Sequence, residues 1–518
     1  MTRPNHVLAV LRRNPDLVRL AAGSFDLDLD RAEHVEEVRL ASGAPLTAVA
    51  GDDTGGTYFI CADGAVLYAS SEGEAGLIGA SMDEALEILF GLPGWHDYTE
   101  LDLAADDEAL EAVFNRTEDE IRDAYGPELD ADRSTLLSGL GLRELPRREL
   151  LHRLQESLLR TEPEFLLLNA DEGCAYALLD RLRRPPLWQA VLAPGRTDLA
   201  RMRADRTCWD AIAGDPVRRA TVLRAAQYDR QPGDLQLLRV LLLQEARCGP
   251  TEELRLAAVL VALHGETQDH ALLSSLRESD PDVHFLLGGF PDSARALTQW
   301  AADFDDSNYG QDPHDEYDLT WTALARRQGQ TELARAALIR ILDDTGPRDG
   351  ALLGTLANEL KILGDLGQAI RARRLHASLQ DDADKRGAAL VDLASLQRLH
   401  GEVEAAWQSL RRAVTLLDGP PPLPSTNQLA LDLAPTKPPC QTFTWRELGL
   451  GVRVTEEHFL ITRAAVPLGL HEVAQAALLS GKTMLDGLAH PTENLRQAAE
   501  AAQTLAAPRP ACESPSPP

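Results

Sequence analysis

The sequence predicts a mainly α-helical fold: a small N-terminal α+β module followed by an α-helical solenoid of antiparallel helix pairs. Three observations predict it. β-rich runs separated by turn residues are confined to positions 35–69, while amphipathic patterns of helical period fill most of the remainder. A glycine followed five residues later by an alanine recurs in the C-terminal part, with successive glycines 35 and 37 residues apart. Aromatic residues make up only 5% of the 518, so the core must be mostly Leu, Ala and Val, which suits helix-on-helix packing. A hydrophobic content of 44% with 25% charged residues excludes wholesale disorder.

The first element is a helix over residues 7–20, where Val7, Leu8, Leu11, Leu17 and Val18 recur at helical spacing. Val35–Leu40, Leu46–Ala50, Thr57–Cys61 and Ala65–Ala69 then read as strands. Between the last two, Asp63-Gly64 is a strong hairpin signal, because glycine accepts a positive φ without steric cost. Ser81 with Glu84 forms a capping box ahead of a helix whose apolar face is Met82, Leu86, Leu89 and Phe90. Residues 1–96 thus predict helix, antiparallel meander and helix.

Within this module, Gly51-Asp52-x-x-Gly55-x-x-Tyr58, the hairpin Asp63-Gly64-Ala65-Val66, Ser71-Glu-Gly-Glu-Ala-Gly and Ser81-Met-Asp-Glu-Ala-Leu resemble the SUKH superfamily. Met82 and Ala85 depart from it, standing where aromatics are common in that family. The resemblance implies an α+β fold. Many bacterial members are immunity proteins that bind toxins, so it also implies capture of a protein partner. On that reading Asp52, Asp53, Tyr58, Glu72 and Glu74 are the candidate partner-binding residues, and the carboxylates mask a basic partner by charge and shape.

Residues 97–144 read as an acidic, partly helical connector. Positions 97–132 hold 14 acidic and 2 basic residues, punctuated by Leu101, Leu110, Phe114 and Ile121. Residues 145–310 read as successive amphipathic helices, clearest at Leu150–Leu159, Tyr176–Leu182, Ala220–Ala226, Leu235–Glu245 and Leu254–Leu263. Breaks are expected at Pro185-Pro186, Pro194-Gly195 and Gly214-Asp215-Pro216. The last two helices, joined by a Gly-Pro turn, resemble a HEAT-like hairpin.

Residues 311–505 carry the repeat signal. Gly329, Gly364, Gly401 and Gly469 precede Ala334, Ala369, Ala406 and Ala474, each by five positions. Glycine ends the turn after a first helix, and alanine lets the second helix approach closely; Gly289 with Ala294 reads as an earlier copy. Leu356-Ala357, Leu393-Ala394 and Trp321-Thr322 fill a large-small pair on the first helix. The pattern resembles degenerate tetratricopeptide repeats. A Pro-rich insertion at 419–440 interrupts it, and a Pro/Ala/Ser-rich tail covers 506–518.

Several motifs imitate chemistry without its context. Ala476–Thr483 satisfies a permissive phosphate-loop pattern ending in Lys482, but no strand precedes it. Gly51–Gly56 places Asp52 and Asp53 where a phosphate would sit and reads as a turn, and Glu72 and Glu74 read as a solvated loop rather than an acid/base pair. Residues 303–318, with seven acids, read as a solvated loop, since Asn308 and His314 replace the glycine and glutamate of a calcium loop. The six cysteines form no Cys-x-x-Cys pair, which argues against a zinc knuckle and for thiols in a reducing cytoplasm. No signal-peptide core or run of about 18 apolar residues is present, so a cytoplasmic chain without a membrane span is expected. A net charge of −30 repels phosphate backbones, so nucleic acid is not an expected partner.

No catalytic, metal-ligating or cofactor-binding residue is assigned. The expected function is non-enzymatic protein binding by an immunity-like protein or regulatory scaffold, its partner a basic toxin or a regulatory protein. Binding would use the acidic module, the concave face of the repeats, or both. The alternative is a tetratricopeptide scaffold with an accessory N-terminal module, and the remote one a nucleotide-binding protein using Lys482.

Overall fold

The computed structural model describes residues 6–104, 106–419, 445–447 and 449–507, in two compact units divided between Leu338 and Ile339. The predicted first helix is two, α1 (His6–Arg12) and α2 (Pro15–Ala22), because Asn14 caps the second and Pro15 opens it. A five-stranded sheet follows in the order β2-β3-β4-β5-β7, from β2 (Leu46–Gly51), β3 (Thr57–Cys61), β4 (Val66–Ala69), β5 (Glu74–Gly79) and β7 (Ala177–Leu178). The first four pair antiparallel, while β7 joins β5 in parallel. A separate antiparallel pair joins β1 (Val38–Leu40) to β6 (Leu167–Asn169).

The sheet is buried on both faces, and its alternation divides two cores. Tyr58, Val66, Tyr68 and Ile78 point towards α3 (Met82–Gly91) and the other helices of the module. Phe59, Leu67, Ala75 and Leu77 point the other way, to Leu40, Phe165, Leu167 and Tyr176. The Ser81 hydroxyl accepts from the Glu84 N–H at 3.2 Å, as the capping signal predicts.

The core on the helix side continues beyond residue 96. Leu110 and Phe114 of α4 (Asp107–Tyr125), Leu136 of α5 (Leu129–Leu140) and Leu150, Leu154 and Leu158 of α6 (Arg147–Leu159) close it. The acidic stretch is therefore packed into the module rather than strung between domains. Its buried Glu118 meets Arg133, Arg122 and Arg147 at 2.6, 2.9 and 3.3 Å. Residues 176–182, read as helix, instead supply β7, because their backbone extends the sheet along β5.

Beyond the short α7 (Thr161–Glu164), unit 1 continues with α8 (Leu187–Ala204), α9 (Trp209–Gly214), α10 (Pro216–Tyr228), α11 (Leu235–Glu245) and α12 (Glu252–Leu263). Then come α13 (Gln268–Ser279), α14 (Pro281–Leu286), α15 (Leu297–Asn308) and α16 (Asp318–Arg327). Leu199, Leu223, Leu241 and Leu256 share one buried cluster. The Pro194-Gly195 break does not occur: both residues lie inside α8, where Gly195 lets that helix cross α10 against the Thr221 carbonyl. Asp303–Asn308 are helical, not loop, and Asp305 is buried against Arg230 with both carboxylate oxygens bonded at 2.7 Å. Gly289 and Ala294 make no hairpin; the alanine only opens a short 3-10 turn.

The repeat signal fares better. After α17 (Thr331–Asp344), unit 2 holds α18 (Gly350–Leu363), α19 (Leu366–Ser378), α20 (Ala383–His400), α21 (Val403–Leu417), α22 (Gly449–Ala465), α23 (His471–Asp486) and α24 (Glu493–Ala506). Gly364, Gly401 and Gly469 stand at the turns of three helix hairpins with φ of 90, 93 and 73°. Ala369, Ala406 and Ala474 are buried on the returning helices, and Leu356-Ala357 and Leu393-Ala394 on the outgoing ones. Residues 420–440 of the Pro-rich insertion and the tail from 508 lie outside the described residues. Among those described, no helix is long and apolar enough to cross a membrane.

Candidate functional site

The five predicted partner-binding residues do not form one surface. Asp52 is 3% exposed and Tyr58 1%, so neither offers itself to a partner; Asp53, Glu72 and Glu74 are exposed. Asp52 instead organises its turn. Its Oδ1 accepts from the Gly56 N–H (2.8 Å), the Thr54 N–H (2.9 Å) and the Thr54 hydroxyl (2.9 Å), and its Oδ2 from the Tyr68 hydroxyl (2.6 Å). Burial pushes the Asp52 carboxyl up, but the bonds from Tyr68, Thr54 and Gly56 outweigh it and hold it below its ordinary value. Gly56 lies so close that a Cβ would sit 2.1 Å from the Tyr68 oxygen. The Gly-Asp motif is thus a folding device, and Asp52 and Tyr58 are withdrawn as docking residues.

The nucleotide reading of Lys482 meets a geometric obstacle. Ala476–Thr483 lies inside α23, so its backbone N–H groups serve the helix, and Gly481 packs against Phe459 rather than opening a loop. Among the described residues, no group of three or more His, Cys, Asp or Glu could hold a metal ion.

A groove of about 520 Å³ in unit 2 gathers polar side chains that the sequence reading did not single out. Three outgoing helices build it, each with one face: Gly354, Thr355 and Asn358 of α18, Asp392, Ser395 and Arg398 of α20, and Arg453, Glu456 and Glu457 of α22. Steps of three and four residues put these side chains on a common side of each helix. From α19, Arg373 reaches the same space; its side chain is 8% exposed, and it donates to Asn358 Oδ1 at 3.0 Å and meets Asp392 at 3.5 Å. Its Nε makes no hydrogen bond.

Ion pairs brace these walls. Arg398 contacts both oxygens of Glu457, at 2.6 and 3.3 Å, and Arg453 pairs with Asp392. Burial raises the Glu457 carboxyl, and Arg398 opposes that rise. Lys361 and Glu456 line the same groove exposed, with no ion-pair partner among the described residues. The arrangement can hold an extended polar chain along three helices; it presents no paired nucleophile and base. A signal for it does exist in the sequence. Counting back nine and six residues from Gly364 and Gly401 gives Thr355 with Asn358 and Asp392 with Ser395. Comparison with protein-family profiles, curated proteins and solved structures finds no match to this chain.

Proposed function

We propose that this protein is a non-enzymatic binder of protein partners, and that the groove of the helix hairpins holds an extended segment of the partner. The observation that carries this reading is the groove itself: faces of three helices, two of them in the same register from their turn glycines, braced by internal ion pairs, with Lys361 and Glu456 left for a ligand. The recurring glycine turn and buried alanine favour reading the hairpins as degenerate tetratricopeptide repeats, and α11 with α12 as a HEAT-like pair. The N-terminal module, SUKH-like in its Gly-Asp turn and capped helix, is then accessory to this binding. An immunity-like or regulatory role, with a basic toxin or regulatory protein as partner, fits the exposed acids of the module such as Asp53, Glu72 and Glu74. The free thiols Cys61, Cys208 and Cys248 support a reducing cytoplasm as the site of action.

Photo-crosslinking residues placed singly at Thr355, Ser395 and Glu72 of the full chain test this in cells. Crosslinks from Thr355 and Ser395 to one protein, lost on Lys361→Glu, are expected. Crosslinks from Glu72 alone would move the binding to the module.

A further inference from the structure

A second groove in unit 2, of about 760 Å³, runs along the hairpin of α20 and α21. Arg386 and Leu390 of α20 line it with Arg411, Arg412, Thr415 and Leu416 of α21, at the three- and four-residue steps of one helix face. Leu390 here and Asp392 of the first groove are two residues apart, about 200° round the helix, so the two grooves lie on opposite sides of α20.

The grooves differ in charge. The first sets Asp392, Glu456 and Glu457 against its cations. In the second, no carboxylate stands among the described lining residues, and Arg386, Arg411 and Arg412 make no ion pair with a described residue. Asp418, at the end of α21, is already taken by Arg446 at 2.6 Å and by the Trp445 indole at 3.1 Å. Two of the three guanidinium groups are held by contacts that leave their charge unanswered. Arg386 donates from Nε to the Gln380 carbonyl at 2.7 Å, and Arg411 lies 5.9 Å from the centre of the Trp407 ring. Gly387 packs against Leu417, where a Cβ would come within 2.6 Å, and this sets the register of the two antiparallel helices. Arg386 therefore stands level with the end of α21 and Arg412 about 9 Å back along it, with Leu390 and Leu416 between them.

We infer that this groove docks a short acidic segment of a protein partner, its carboxylates on the arginines and its apolar side chains on Leu390 and Leu416. Charge complementarity selects the occupant, because three unanswered cations in a chain of net −30 form a local site for an anion. Cations at two levels with leucines between them match several carboxylates along a peptide rather than one anionic headgroup. Residues 420–444 of this chain, which follow α21 in sequence, hold one acid, Asp432, and one base, Lys437, and so do not supply that charge. The inference goes beyond the binding proposed for the first groove and does not depend on it, since no residue lines both.

The test is fluorescence anisotropy of a labelled peptide, Glu-Leu-Glu-Glu-Leu-Glu, added to the full chain at pH 7.5, with Gln-Leu-Gln-Gln-Leu-Gln as the neutral control. The acidic peptide should bind, the neutral one should not, and added salt should weaken the binding. Arg411 and Arg412 are exposed, so Arg411→Gln with Arg412→Gln leaves the fold intact. That pair should weaken binding about tenfold by removing two charged contacts, and Lys361→Glu should leave it unchanged. Four results would overturn the inference: no binding by the full chain, equal binding of the neutral peptide, a loss on Lys361→Glu that the arginine pair does not produce, or displacement by decanoate or oligouridine as effective as by unlabelled peptide.

Discussion

At the scale of single residues, Asp52 and Asp26 show two fates of a carboxylate near the same turn. Asp52 is fully answered by donors, and Asp26 is not. Tyr68→Phe removes the 2.6 Å bond to Asp52 and is expected to cost about 1.5–3 kcal/mol in urea unfolding, the range for hydrogen bonds to charged groups. The two residues also titrate with opposite signs. Asp52 lies below its ordinary 3.8, so its contribution holds above that pH and fades as acid protonates it in the fold. Asp26 lies above, at about 6, so its contribution is present below 3.8 and lost as pH rises through about 6. Asp26→Asn should therefore be more stable than the wild type at pH 7.5 and no more stable at pH 3.5, by thermal unfolding at both. The motif containing Asp52 was legible in sequence, but its burial was not, because Tyr68 and the sheet around it decide that.

At the scale of elements, the sequence is most informative where structure is local. The turn glycines, the Ser81 cap and the Asp63-Gly64 hairpin depend on neighbours a few residues away, and each stands where the pattern puts it. Strand β5 was missed because Gly76 and Gly79 break its pattern. Both are needed for tertiary reasons: a Cβ on Gly76 would press Leu158 of α6, and one on Gly79 the backbone of Ala85 in α3. Strands β6 and β7 pair with partners more than 90 residues away, which no local pattern announces. The groove was missed for a related reason, since its residues are ordinary polar positions until three helices align them. Two glycine substitutions separate conformation from crowding. Gly364→Ala should cost about 1–2 kcal/mol from its left-handed φ alone, because nothing lies within 4 Å of the added Cβ. Gly481→Ala, in ordinary helix but 2.8 Å from the Phe459 ring, should cost about 1–3 kcal/mol by overpacking. Denaturant unfolding of both variants checks the pair.

At the scale of the whole molecule, the net charge of −30 is partly an internal matter. Much of the acidic stretch 97–132 is met by arginines of the same module: Arg122, Arg133 and Arg147 around Glu118, and Arg148 on Asp107. That stretch belongs to the core formed by residues 7–158, and the sheet is finished only at Leu178. A fragment ending at residue 96 should therefore fail to fold, while one ending at residue 184 should give dispersed amide NMR signals and cooperative unfolding. Unit 2 carries the groove and, with it, the reading of the protein as a binder. That reading is tested most directly by site-specific photo-crosslinking in cells from Ser395 in the groove and from Glu72 on the module. The account predicts that Ser395 crosslinks a protein partner and that Lys361→Glu abolishes the product. A partner captured from Glu72 but never from Ser395 would contradict it.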